Sequence, residues 1–310
     1  MAQDNLLYLK LLPFYGVTTT EMHSTLGSLS ATESDIVNHD FLHMFKTMYS
    51  QDVLNNLSFD YFTSDSFNEK ITGRENRIKL SILHLNIRSL NKNHEELCEF
   101  LSTIHHEFDV IILSEIWSYN VSLYSNLLSG YNFHHDLPSA SSVGGVGIYV
   151  RSSHAYCIID EFKISSVNEC PVENLWIKVT KGCNKYIIGA IYRHPGYKIN
   201  TFTEKMDALL TQITKCRLPC LIAGDVNIDL KKFQDHQETK CYLDNLIMNN
   251  ITPTVVMPTR ITANSSTIID HIYYTNGGKS DTRDILTAGN LWCDISDHLP
   301  NFLLLESSTL

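Results

Sequence analysis

The 310 residues carry 24 Lys and Arg against 34 Asp and Glu, a formal net charge of −10, with 43% hydrophobic and 19% charged residues. That is the composition of an ordinary globular protein, and 14 Gly with 8 Pro exclude collagen-like and low-complexity classes. The acidic balance argues against a protein whose affinity comes from neutralising many phosphates, but not against an enzyme that reaches phosphate through a divalent cation, whose own charge goes uncounted.

Residues 1–78 are rich in Ser, Thr, Asp and Asn, hold five basic and ten acidic side chains, and show no β-type alternation. They read as a weakly ordered leader with one amphipathic helix near Ser34–Met48, where Ile36, Phe41, Leu42, Met44 and Phe45 share a helical face. From Lys79 the pattern changes to short apolar runs between turn residues. These predict strands at Leu80–Leu85, Val110–Leu113, Gly145–Val150, Leu175–Val179, Tyr186–Ile191, Cys220–Ala223, Ile268–Tyr273 and Asn301–Leu305. Helical periods fit Asn93–His106, Thr201–Cys216 and Thr239–Asn249. Two strand pairs lack a crossover helix: Gly145–Val150 into Ala155–Phe162, and Leu175–Val179 into Tyr186–Ile191 with a turn at Lys181–Asn184. They predict a sheet sandwich flanked by helices, within one domain over residues 79–310, rather than a doubly wound parallel sheet.

No stretch approaches the roughly 20 apolar residues of a bilayer span. Asp4 and Lys10 interrupt Met1–Gly16 where a signal peptide would be apolar, so a nuclear or cytoplasmic protein is expected. The 8 cysteines form no C-x-x-C pair and read as reduced thiols.

Polar residues close the apolar runs. Leu80–Leu85 ends in Asn86, Val110–Ser114 in Glu115, Leu221–Gly224 in Asp225 and then Asn227, and Thr267–Ile269 in Asp270, while Ile295 leads into Ser296, Asp297 and His298. Strand ends are where a sheet projects functional groups into a shared cleft, although Asn and Asp also cap turns there. Oxygen ligands from Glu115, Asp297 or Asp225, without clustered thiols, suit a hard cation such as Mg²⁺. A histidine with a carboxylate to orient it, His298 with Asp270, is the arrangement that fixes an imidazole tautomer and balances charge on a phosphate. Water attack on a phosphodiester needs a base, a charge clamp and in-line geometry, and these residue types supply them.

The ordered motifs Leu85-Asn86, Leu113-Ser-Glu115, Ile191-Tyr-Arg-His-Pro195, Gly224-Asp-Val-Asn227, Ile269-Asp-His-Ile272 and Ser296-Asp-His298 resemble the endonuclease/exonuclease/phosphatase superfamily from about Lys79 to Glu306. The stretches His84–Leu90, Gly144–Val150 and Tyr192–Pro195 look most like the endonuclease domain of non-LTR (LINE-type) retrotransposons. The resemblance implies an α+β fold, a four-layer α/β/β/α sandwich of two mostly antiparallel sheets flanked by helices. It implies Glu115 as the main metal ligand, with Asn86 and Asp297 close to the ion or its waters. Asp225 would orient or deprotonate the attacking water and Asn227 would help place it. His298, held by Asp270, would contact the scissile phosphate, and Tyr192 would hydrogen-bond it. The ion would be Mg²⁺, or Mn²⁺ in its place. DNA would be the partner, with no membrane and no protein partner evident.

Abasic-site endonucleases of this superfamily commonly carry an Asp two residues after the Asn that Asn86 resembles; Arg88 stands there, and would touch DNA backbone instead. Thr259 and Arg260, in Pro258-Thr-Arg260, either shape the DNA groove or belong to a solvated turn. Trp117 and Tyr119 either face a sugar or base or pack as ordinary aromatics. The expected activity is DNA nicking that leaves 3′-hydroxyl and 5′-phosphate ends, that of a target-nicking endonuclease without its reverse transcriptase. The alternatives are a phosphatase of the same fold acting on phospholipid, inositol phosphate or RNA, and a catalytically silent domesticated fragment.

Overall fold

The computed structural model describes residues 56–118, 121–138, 143–166, 170–278 and 284–307. The helix expected near Ser34–Met48, and Tyr119, lie outside the described residues. In chain order the first half gives β1 (Leu57–Phe62), α1 (Ser64–Ile71), β2 (Ile78–Asn86), α2 (Leu90–Thr103), β3 (Val110–Ser114), β4 (Tyr131–Asp136), β5 (Val146–Arg151) and β6 (Ala155–Ile158). Then come β7 (Val172–Lys181), β8 (Asn184–Arg193), α3 (Ile199–Lys215), β9 (Cys220–Asp225), α4 (Gln237–Met248), β10 (Thr252–Pro253), β11 (Arg260–Thr262), β12 (Ser265–Thr267), β13 (Asp270–Thr275), β14 (Asp284–Leu291) and β15 (Asn301–Ser307).

Seven strands pair in the order β1-β14-β15-β2-β3-β5-β4 and six in the order β10-β13-β9-β8-β7-β6, with β11 and β12 as a separate hairpin. The joints β1/β14, β2/β3 and β8/β9 are parallel; the others are antiparallel, as expected. Leu80, Ile82, Val110, Ile112 and Ile148 of the first sheet pack against Ile177, Ile188, Ala190, Leu221 and Ala223 of the second. α1 and α2 cover the first sheet's outer face, where Phe67, Leu90, Leu97 and Phe100 meet Leu83, Leu85, Leu113 and Phe302. α3 and α4 cover the second, setting Phe202, Met206, Leu210 and Leu246 on Trp176, Ile187, Ile222 and Tyr273. The result is the α/β/β/α sandwich. Because both faces of each sheet are buried, the central strands are continuous apolar runs rather than alternating ones. The β7–β8 hairpin closes through Lys181 opposite Asn184, with Gly182 at φ +59°, the left-handed backbone that a two-residue turn needs. Among the described residues no helix is long and apolar enough to cross a membrane.

Two expectations are corrected. The leader over residues 1–78 does not reach Ile78: β1 adds a parallel edge strand to β14, from Leu57 opposite Leu286 to Phe62 opposite Leu291. α1 then drives Phe67 and Ile71 into the core behind a reciprocal Thr63–Ser66 capping box. The pattern was present: Leu57, Phe59 and Tyr61 alternate with Ser58 and Asp60, but over six residues inside a polar stretch. Secondly, the strand expected over Ala155–Phe162 ends at Ile158 and gives way to a 3₁₀ turn at Asp160–Phe162. β5 and β6, though consecutive, lie in different sheets, so the segment between them crosses the sandwich.

Candidate active site

The strand registers converge on one edge. Asn86 lies opposite Ser114 across the parallel β2/β3 joint, Tyr192 opposite Asp225 across the parallel β8/β9 joint, and Asp225 opposite Asp270 across antiparallel β9/β13. Asp225 therefore closes its strand while Asp270 opens its own, and both reach the same end. The approach of β9 to β8 there is closer than a side chain permits, since a Cβ on Gly224 would sit 1.7 Å from the Ile191 carbonyl oxygen. Just past the strand ends, Glu115 (φ +55°) and Asn227 (φ +50°) adopt left-handed backbone, which costs a non-glycine residue on the order of 1–2 kcal/mol. Arg193 holds the second of these turns: Nε donates to Val226 O (2.6 Å), Nη2 to Asn227 O (2.8 Å) and Nη1 to Tyr197 O (2.9 Å). Asn227 Nδ2 returns a bond to Arg193 O at 2.8 Å.

Two hydrogen-bonded sets of functional groups meet where Asp225 faces His298. Asn86 Nδ2 donates to Glu115 Oε1 and to Asp225 Oδ2, each at 2.8 Å. Tyr192 OH donates to the same Glu115 oxygen at 3.2 Å, and the Asn227 amide donates to Asp225 Oδ1 at 2.9 Å. Asp225 Oδ2 lies 4.0 Å from His298 Nδ1, which is 2.8 Å from Asp270 Oδ2. Thr259 Oγ1 donates to that Asp270 oxygen at 2.7 Å. Ser296 fixes the approach of this loop, its hydroxyl donating to Asn86 O at 2.7 Å.

Burial and neighbouring charge together set the protonation states. Burial penalises the charged form of His298, but Asp270, then Asp225 and Asp297, outweigh it and push the imidazole up to about 9. Burial also works against Asp270, yet His298 and the Thr259 hydroxyl hold it below the usual carboxylate range. Asp225 goes the other way: burial and the negative charge of Asp270 raise it, with His298 and the bonds from Asn227 and Asn86 pulling against them. Burial, with Glu115 and Asp225 alongside, raises Tyr192, so its hydroxyl remains a donor. The edge thus offers an imidazolium, a phenol donor and a carboxylate prepared to take a proton.

Asn86, Glu115, Tyr192, Asp225, Asn227, Asp270 and His298 are therefore brought together as expected. Asp297 is not part of that network directly. Its Oδ1 is 2.6 Å from Arg88 Nη1 and its Oδ2 is 2.7 Å from Arg260 Nε, while His298 Nε2 stands 3.9 Å away. Arg88 and Arg260 flank the edge with partly exposed side chains. Thr259 is corrected: it is fully buried, and its hydroxyl serves Asp270 rather than a substrate. Trp117 is half-buried.

Three features escaped the motif reading. Ser114 accepts from the Asp225 amide (3.4 Å) and meets His84 Nε2 (2.9 Å). Arg193 was visible only as the third residue of the Ile191–Pro195 motif. Glu173, in register with Tyr192, is fully buried and 2.9 Å from His194 Nε2; a Glu alternating into a buried strand was its signal.

The donor set fits a divalent cation at Glu115. That carboxylate is partly exposed and is met by two neutral donors, Asn86 and Tyr192. The tightest group of metal-type ligands, Asp225, Asp270 and His298, has its donor atoms within 4.8 Å of one another. There the imidazolium itself supplies the positive charge, so Glu115 with Asn86 is the better place for an ion.

A two-sheet sandwich whose strand edge carries carboxylate, amide and His–Asp groups defines a phosphoester-hydrolase architecture. The family model described as "Endonuclease/Exonuclease/phosphatase family" matches residues 83–298, and the chain belongs to that family. Among solved structures, the endonuclease domain of TRAS1, a telomere-specific non-LTR retrotransposon, superposes with a TM-score of 0.55 at 13% identity, covering 74% of this chain and 99% of that one. D. rerio TDP2 complexed with single strand DNA product gives 0.53 at 16% identity, over 74% and 99%. The human Nocturnin catalytic domain with bound sulfate anion gives 0.51 at 14%, over 74% and 93%. At such identities the likeness is one of fold. No curated protein matches the chain.

Proposed function

We propose that this chain is a Mg²⁺-dependent endonuclease, Mn²⁺ serving in its place, that nicks DNA to leave 3′-hydroxyl and 5′-phosphate ends. The observation that carries the reading is the hydrogen-bonded chain from Glu115 through Asn86 to Asp225, whose carboxylate stands 4.0 Å from the hydrogen-bonded His298–Asp270 pair. DNA as substrate is supported by the retrotransposon-type motifs, by the likeness to the TRAS1 domain, and by the two arginines flanking the cleft.

Glu115 and Asn86 would hold the ion, with Asp297 across the cleft, and when bound it neutralises charge on the phosphate. Asp225, raised by burial and by Asp270, accepts the proton of the attacking water. Asn227, locked by Arg193, orients that water. His298 and Tyr192 donate to the phosphate oxygens as charge builds, the P–O3′ bond breaks, and the 3′-oxygen takes a proton from solvent water to become the hydroxyl. Arg88 and Arg260, both held by Asp297, meet the flanking phosphates with their remaining N–H donors.

The test is nicking of supercoiled plasmid by the purified chain in Mg²⁺ or EDTA, beside Asp225→Ala and His298→Ala. Open-circle product that requires the ion and is lost in both variants is the expected result. A folded wild-type chain that nicks nothing overturns the proposal, and phosphate release from phosphorylated lipids or inositol phosphates would then support the phosphatase reading.

A further inference from the structure

The strand Leu57–Phe62 lies outside the residues that the family model matches, yet it grips both loops on the His–Asp side of the cleft. Tyr61, 3% exposed, donates its hydroxyl to the Pro258 carbonyl at 2.9 Å, beside a second donor, Asn290 Nδ2, at 2.8 Å. The next residue, Thr259, bonds Asp270 through its side chain, and its carbonyl accepts from the Leu299 amide at 2.7 Å. The following one, Arg260, forms a β-bridge with His298. On the other loop, Phe62 O accepts from the Trp292 amide at 2.8 Å, and the Tyr61 ring stacks on Trp292 with centroids 5.1 Å apart. Asp297 and His298 follow on that loop. The body of the fold is shaped to receive the strand. Within β14, a Cβ on Gly289 would lie 2.5 Å from Asp60 O and 2.6 Å from the Phe62 ring, so the space of a side chain there is filled by β1.

We infer that Leu57–Phe62 is a positioning strand of the active site, with Tyr61 the residue that fixes the Pro258–Arg260 turn and, through it, the Asp270–His298 pair. Catalytic geometry held by such contacts is lost with small displacements, without loss of the fold. The inference rests on the proposed role of His298, so its test reads the loops as well as the rate. Tyr61→Phe keeps the ring and removes one donor; Gly289→Ala displaces the strand from the β14 side, leaving Tyr61 intact. In each full-length variant, hydrogen exchange at the Thr259 and Leu299 amides should quicken about fivefold to tenfold. The melting temperature should fall little in Tyr61→Phe and more in Gly289→Ala, whose Cβ meets the Asp60 backbone carbonyl. Plasmid nicking should lose about tenfold in kcat with KM within about twofold, the signature of lost positioning rather than lost binding. Should Gly289→Ala fail to fold, Tyr61→Phe decides alone. Unchanged exchange at those amides, or faster exchange with an unchanged kcat, overturns the inference. A wild-type chain that nicks nothing removes the proposed function instead, and the exchange rates still report whether β1 holds the loops.

Discussion

Replacing Asp270 by Asn isolates the electrostatics of the His298 pair. The substitution keeps the shape and leaves Thr259 and His298 with an amide oxygen to bond, but removes the charge that lifts the imidazole to about 9. A histidine near 6.5 when unfolded and near 9 when folded contributes stability that is fully present below 6.5 and is lost as pH rises through 9. Integrated, that is about 3 kcal/mol at pH 6 and about a few tenths at pH 9.5. Asp270→Asn removes the largest of the three charges behind that shift, so it should destabilise the protein by on the order of 3 kcal/mol at pH 6 and by little at pH 9.5. Urea unfolding in EDTA at both pH values measures this, and subtracting the wild type removes the groups that titrate in both. Nicking at neutral pH should fall by about a hundredfold or more, since the imidazolium no longer forms readily. An equal loss of stability at the two pH values would refute the reasoning.

Three further outcomes follow from the geometry. His84 and His271 are fully buried and held down to about 4 by burial, so the unfolded chain binds their protons first. Stability present above 6.5 should be lost as pH falls towards 4, by about 2 kcal/mol each at pH 5, and His271→Gln should recover one such share in the pH 7 to pH 5 difference from urea unfolding. Gly224→Ala should cost more than about 4 kcal/mol or prevent folding, read by thermal melts, because the Ile191 carbonyl that its Cβ would strike is backbone and cannot yield. Arg193→Lys cannot serve three carbonyls in one plane and should lower kcat at least about tenfold while KM changes little; a plasmid assay showing unchanged kcat would refute a positioning role for the Asn227 turn.

The central strands were legible because burial on both faces made them long apolar runs, and the site was legible because its polar residues interrupt those runs at their ends. Val110–Ser114 followed by Glu115, and Cys220–Asp225 followed by Asn227, needed no knowledge of pairing. What pairing alone could supply was the meeting of Asp225 with Asp270, residues 45 positions apart joined by antiparallel register. β14 was missed because Thr287, Gly289 and Asn290 break its apolar character, each for a tertiary reason: Thr287 bonds Glu306, Gly289 yields to Phe62, and Asn290 serves Pro258. β4 was missed because Asn132, His134 and His135 give an edge strand little to bury. The buried role of Thr259 could not be read from Pro258-Thr-Arg260, since a turn threonine and a carboxylate's partner look alike until the carboxylate is in place.

The flanking of β14 by β1 on one side and β15 on the other has an architectural consequence. Leu57 stands opposite Leu286 and Ser307 opposite Asp284, so the first and last of the described strands begin and finish at the same end of the sheet, about 10 Å apart by two strand spacings. The cleft lies at the other end, where Leu291 bonds Pro300. A reporter or tether fused after Ser307 would leave the molecule at its rear, as would polypeptide arriving at Leu57. Both the cargo and its linker would then be carried at the end of the sheet opposite Asp225 and Asp270.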